Sequence, residues 1–191
     1  MEGHIKKDVI TVGALAGMPC WHVNFLVAGK DPKTEEELLN IILGSKYKYV
    51  MVRGNLSTHS GIRNFINGLS MKGKTVIFFT DSSEDVGPVL MARNIHLVIL
   101  ADPPTAEKNN IHMSLFRFLR DKDEVDFQIQ TLDKYEQVRE YLKGRTVTNP
   151  VIIFNISFAD EAEREMIVAK YLDDSQFFGY QSRLVQMLNL A

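Results

Sequence analysis

Short runs of β-branched and aromatic residues alternate along the chain with longer stretches of helical period. That alternation is the pattern of an α/β protein with a largely parallel sheet. Strands are predicted at Val9–Val12, Trp21–Val27, Tyr47–Val52, Lys74–Thr80, Ile95–Ala101, Val125–Gln130 and Val151–Ile156. Lys74–Thr80 is almost continuously apolar, as expected where both faces of a sheet are covered. Helices are predicted at Lys33–Leu43, Ser60–Met71, Ser83–Arg93, Ile111–Arg120 and Leu132–Leu142, with further helical segments toward the C-terminus. The first helix carries its own punctuation: Thr34 as N-cap, Glu35, Glu36 and Glu37 in the first turn, and Gly44 as the stop. In the second, Ile62, Phe65, Ile66 and Leu69 recur at amphipathic spacing. Gly87 and Pro88 weaken the third. His4 is assigned to a frayed terminus, and His22, on a strand, to a sheet face. The expected architecture is an incomplete (βα)6-type barrel of mostly parallel strands with outer helices, the alternative being a doubly wound open sheet. A full eight-unit barrel needs roughly 200–250 residues.

Length and charge narrow this picture. The 191 residues suit one α/β domain spanning 1–191. Lys and Arg total 22 against 24 for Asp and Glu, a net charge of −2. A dedicated nucleic-acid binder, whose affinity rests on phosphate neutralisation, is therefore not expected. No apolar run approaches the roughly 18–20 residues needed to span a bilayer, and the N-terminal residues lack a secretory pattern. The expected location is the cytosol. Cys20 is the one cysteine. It excludes an internal disulfide, a thiolate zinc site and a cysteine-ligated iron–sulfur cluster built from this chain alone. Beside Pro19 and Trp21 it is expected to be an inert buried thiol.

Ligands in such folds gather at the carboxyl ends of parallel strands. This rule selects Arg53-Gly54-Asn55, Thr80 with Asp81, Asp102, and Asn155 with Ser157 and Asp160. Arg53, Gly54 and Asn55 could present backbone amides to an anionic or adenosine-like ligand, because Gly lets the chain approach closely. The plainer explanation is that Gly54 turns the chain while Ser57 or Ser60 caps a helix. Neither a P-loop nor a Gly-x-Gly-x-x-Gly motif is present. His59 is the histidine best placed for acid–base work, with Asp81 and Asp102 able to orient it, although loop aspartates more often close Asx turns. No Gly-x-Ser-x-Gly elbow and no i,i+4 histidine pair occurs. The Phe177-Phe178-Gly179-Tyr180 cluster is either core closure or a contact surface.

The order of these features resembles the radical S-adenosylmethionine enzymes, 7-carboxy-7-deazaguanine synthase branch, from about Val9 to Leu190. Gly13–Pro19 leads into Trp21–Val27 and Ala28-Gly29, in the place of that family's opening strand. Lys33-Thr34-Glu35-Glu36-Glu37 follows in the place of its first helix, and Tyr49–Leu56 stands where the family has a strand ending in Gly-Gly-Glu-Pro. Gly61–Met71, Thr75–Thr80, Ile95–Ala101 with Pro103-Pro104, and Tyr180–Leu188 continue the correspondence. The departures are chemical. The Cys-x-x-x-Cys-x-x-Cys loop is missing, and the acidic residue of Gly-Gly-Glu-Pro is replaced by Asn55 or Leu56. Asp102 stands where the family has a lysine, Ala14, Leu15 and Ala16 replace polar residues of the opening motif, and Gly54 alone keeps its type.

What this implies is a radical-S-adenosylmethionine-like pseudoenzyme with no cofactor, acting as a binding or protein-interaction module. Its expected partners are another protein or a second copy of itself. A vestigial pocket for a small nucleotide-like ligand would use Arg53, Gly54, Asn55, Thr80 and Asp102. The alternative is a hydrolase or lyase that uses His59 and Asp81 as an acid–base pair in the strand-end cleft.

Overall fold

Thr34 opens the first helix as its residue types require. Its hydroxyl accepts from the Glu37 backbone N–H at 3.4 Å, while the Glu37 carboxylate accepts from the Thr34 backbone N–H at 2.8 Å. This is helix α1, Glu35–Leu43, which buries Leu38 and Ile42 and ends at Gly44. The computed structural model describes residues 1–10, 15–27, 31–58, 61–90, 93–102, 118–143, 147 and 149–186. The predicted helix Ile111–Arg120 lies almost wholly outside them, as do Pro103 and Pro104.

The strands are β1 (Glu2–Val9), β2 (Pro19–Asn24), β3 (Lys33–Thr34), β4 (Tyr49–Arg53), β5 (Thr75–Asp81), β6 (Ile95–Ala101), β7 (Glu124–Gln128), β8 (Val151–Asn155) and β9 (Ser182–Val185). The remaining helices are α2 (Gly61–Met71), α3 (Gly87–Leu90), α4 (Leu132–Lys143) and α5 (Glu161–Ser175). The strand order is β3-β1-β2-β4-β5-β6-β7-β8-β9. From β2 onward it is sequential, without the reversal that defines a doubly wound sheet. The barrel-type order is thus the one present.

The chain forms two compact units, 1–98 and 99–191, and passes from one to the other within β6. In the first unit β1 runs antiparallel to β2 and β3, whereas β2, β4 and β5 are parallel. Strand register sorts its side chains into two faces. Val23, Val50, Val52, Val76 and Phe78 lie on one, are essentially inaccessible, and pack toward α2, whose Phe65 meets Phe25 edge-to-face at 5.4 Å. In the second unit β7, β8 and β9 are parallel. Phe127, Ile152 and Phe154 form its helix-facing layer, with Phe154 touching Tyr135 of α4 and Tyr171 of α5 at centroid distances of 5.2 and 5.8 Å.

Four expectations need correction. The first strand is Glu2–Val9 rather than Val9–Val12, so His4 lies in a paired strand and is not frayed. Its polar sequence forms a strand because the antiparallel hairpin with β2 supplies backbone partners from Val9↔Pro19 to His4↔Asn24. The segment 83–93 shortens to α3, because Asp85 turns back to accept from the Gly87 N–H at 3.0 Å. The C-terminal region holds a helix, α5, but residues 182–185 are a strand, paired in parallel with β8. Among the described residues, no helix is long and apolar enough to cross a membrane.

Candidate functional site

The strand-end residues chosen from the sequence hold the loops of the first unit together. Arg53 ends β4 half-buried, with its guanidinium over the Phe79 ring at 5.6 Å. Gly54 is buried against α2, and a Cβ there would collide with the Ile62 side chain. Its lack of a side chain is accounted for by helix packing. Asn55 lends its carbonyl to the Thr58 hydroxyl at 3.3 Å. The Ser57 backbone N–H and hydroxyl both donate to the buried Glu84 carboxylate, at 2.8 and 2.5 Å, tying the loop after β4 to the loop after β5.

Thr80 is buried on the α2-facing side of β5, and its hydroxyl has no hydrogen-bond partner among the described residues. Asp81 is exposed, and one of its oxygens accepts from the Ser83 N–H and hydroxyl at 2.8 and 2.7 Å, an ordinary Asx turn. His59 lies outside the described residues. Asp102, in the second unit, is exposed just past β6. Asn155, at the end of β8, accepts from the Ser157 N–H and hydroxyl at 3.1 and 2.7 Å, and Asp160 caps α5.

Further polar groups, among them Lys6, Asp8, Glu124, Asp126 and Arg183, which the sequence did not single out, lie on the strand faces turned away from the helices. In the first unit, pairing puts Lys6, Asp8, Cys20, His22, Asn24, Met51 and Arg53 on that face. Lys6 bonds Asp8 at 2.9 Å, and the Lys6 hydrogen bond holds the Asp8 carboxyl below its usual range. His22 Nδ1 lies 3.3 Å from Asp8 Oδ2, the same oxygen that Lys6 reaches. Burial lowers the His22 pKa, with the Asp8 hydrogen bond opposing it, so the ring is neutral at pH 7. Its Nε2 is buried with no partner among the described residues.

In the second unit the equivalent face carries Glu124, Asp126 and Gln128 of β7, Asn155 of β8 and Arg183 of β9. Asn155 Nδ2 donates to Asp126 Oδ2 at 3.2 Å. Glu124 is 7% exposed and 4.0 Å from Arg183. Burial pushes its carboxyl up to about 7, against the pull of Arg183 and with help from Asp126 and Asp123. Asp123 itself is fully buried and gripped by Arg120 through Nε at 2.8 Å and Nη2 at 3.0 Å. The sequence signal for this face was available: Glu-Val-Asp-Phe-Gln alternates polar and apolar residues within a strand expected to be covered on both sides.

Neither face fits an iron–sulfur cluster. A radical S-adenosylmethionine fold implies three thiolates, and Cys20 is the one thiol in the chain. It is fully buried on β2, where burial, reinforced by Asp8, pushes it up to about 11. It is a closed, protonated thiol, as expected from its apolar neighbours. Among the described residues, no group of three or more His, Cys, Asp or Glu side chains is placed to hold a metal ion.

No family model and no curated protein sequence matches the chain. Among solved structures it is similar to a crystal structure of QueE from Escherichia coli, with a TM-score of 0.68 over 96% of this chain and 92% of that one. Identity is 12%, so the likeness is one of fold. The likeness in fold to QueE agrees with the mostly parallel, partial-barrel architecture expected from the order of sequence features.

Proposed function

We propose that this protein is a non-radical relative of the QueE fold that works by binding. The observation that carries this reading is the thiol inventory: one cysteine, fully buried, in a chain that overlaps 92% of QueE. A scaffold of this kind without three thiolates has no means of holding the cluster that would deliver an electron. Binding is supported by the polar strand faces. Burying Glu124, Asp126 and Asn155, and partly burying Asp8 and His22, opposite the helices costs desolvation that apolar residues would avoid, and such groups are retained where a polar ligand is recognised.

The ligand proposed is small and nucleotide-like, meeting Arg53 and Asn55 at the end of β4. Gly54 and Thr80, whose buried hydroxyl has no partner among the described residues, belong to the same proposal from the α2-facing side of these strand ends. The partner class proposed is another protein or a second copy of the chain, in the cytosol.

Anaerobic reconstitution of the full chain with iron and sulfide, followed by gel filtration and iron analysis, tests this reading. The expected outcome is no stoichiometric iron and no charge-transfer absorbance retained on the protein. A stable cluster that survives desalting would overturn it. The hydrolase alternative gains nothing from the structure: one Asp81 oxygen is held in an Asx turn by Ser83, and His59 lies outside the described residues.

A further inference from the structure

The strongest unassigned feature lies on the helix side of the second unit, on the opposite sheet face from Glu124. Here α4, α5 and the turn into β9 enclose a cleft of about 350 Å³, at the lower end of the roughly 300–1,000 Å³ range of small-molecule sites. One wall is aromatic. Phe178 stacks on Tyr180 with ring centroids 4.9 Å apart and planes 12° apart, and Phe178 also stacks on the core residue Phe154 at 5.9 Å. This wall is therefore rigidly backed by the core. At its lip Phe177 is 82% exposed, a large apolar ring held against water beside an existing aromatic platform. The Tyr180 hydroxyl is closed to solvent, so the ring is the surface on offer.

The other wall is cationic. Arg139 and Lys143 line it, with Asp174 as the acidic residue among the lining groups, and Glu140 beside them contacts Arg139 Nη2 at 3.5 Å. Asp174 is already saturated: it accepts from Arg139 Nη1 at 2.6 Å, from the Tyr135 hydroxyl at 3.2 Å and from Lys170 at 3.3 Å. That network fixes Arg139 in place. Among the described residues Lys143 meets Glu140 at 3.4 Å, and its side chain is 72% exposed, so its ammonium is open to a ligand.

We infer that this cleft binds a small planar aromatic anion, the ring lying on Phe177, Phe178 and Tyr180 and the anionic group meeting Lys143 and the outer edge of Arg139. Stacking on an aromatic wall is tolerant of ring type, so the shared chemistry covers both nucleoside monophosphates and aromatic carboxylates. The site is separate from the strand-end residues and does not depend on the function proposed for them.

Titration calorimetry of the full chain with adenosine 5′-monophosphate and with indole-3-acetate tests the inference and separates the two sources. At least one probe is expected to bind with a Kd below about 1 mM, a modest affinity suited to one charge and one stacked ring. Lys143→Glu and Phe177→Ala, both at exposed positions that leave the fold intact, are each expected to weaken that binding by about fivefold or more. If the nucleotide is the one that binds, adenosine without its phosphate is expected to bind more weakly. No binding of either probe at about 5 mM, affinity unchanged in both variants, or equal affinity for adenosine and its monophosphate would each overturn the inference.

Discussion

The two units each present a polar strand face opposite their helices, but the faces are electrostatically unlike. In the first, Asp8 is matched by Lys6 at 2.9 Å and by His22, and Arg53 covers an aromatic ring. In the second, Glu124 and Asp126 share one face of β7 with Arg183 4.0 Å from Glu124. The difference decides how each responds to protons. Matched charges settle a carboxylate below its normal range, whereas burial beside another acid holds Glu124 near neutrality. A polar face is therefore not one kind of object: the first is poised to stay charged, the second to exchange a proton around pH 7.

The largest expected effect lies beneath the second face. Phe154→Ala removes a ring that is fully buried among Tyr135, Tyr171 and Phe178, and chemical denaturation should show a loss of about 3–5 kcal/mol. Next comes Glu124. Its folded pKa of about 7 exceeds its ordinary 4.5, so the folded state holds the proton more tightly. That contribution is complete below pH 4.5 and is lost as pH rises through about 7, a change of about 3 kcal/mol. Glu124→Gln should remove this slope, so the variant gains on the wild type between pH 5 and pH 8. Identical slopes would break the contrast between the faces.

Gly54→Ala tests the assignment of Gly54 to packing: a methyl group pressed on Ile62 should cost about 1–3 kcal/mol, whereas a glycine kept only for a ligand would tolerate it. Thr34→Ala removes the cap of α1 and should cost about 1 kcal/mol. The smallest effect is the mirror image of Glu124. His22 has a lowered folded pKa, so its contribution is present above its unfolded pKa and is lost on acidification. His22→Gln should flatten the acid limb of the stability profile and leave the alkaline limb unchanged.

What the sequence makes legible follows from where the physics is local. Helix α1 is readable because Thr34, Glu37 and Gly44 carry their own caps, and β6 is found at both ends because Ile95–Ala101 is apolar apart from His96. Strand β1 is not, because Lys6, Lys7 and Asp8 have no strand-like pattern and are ordered by long-range pairing with β2. Strand β9 is similar, as Ser182–Val185 is a half-buried edge strand supported by β8 alone. The candidate sites show the same division. Arg53, Gly54 and Thr80 could be placed at or just past strand ends because those ends can be located from hydrophobic runs. Asp8 and His22 come together only through antiparallel register, and Glu124 meets Arg183 only because β9 joins the sheet. Cys20 was read correctly from its neighbours, because thiol reactivity depends on local burial.

The chain has the QueE fold, and the function we propose for it involves no radical chemistry. The most direct test is to supply the anaerobically reconstituted full chain with a strong reductant and S-adenosylmethionine, and to follow consumption of the latter by mass spectrometry. The account predicts consumption equal to that of the protein-free control. Cleavage above that control, proportional to protein concentration, would contradict it.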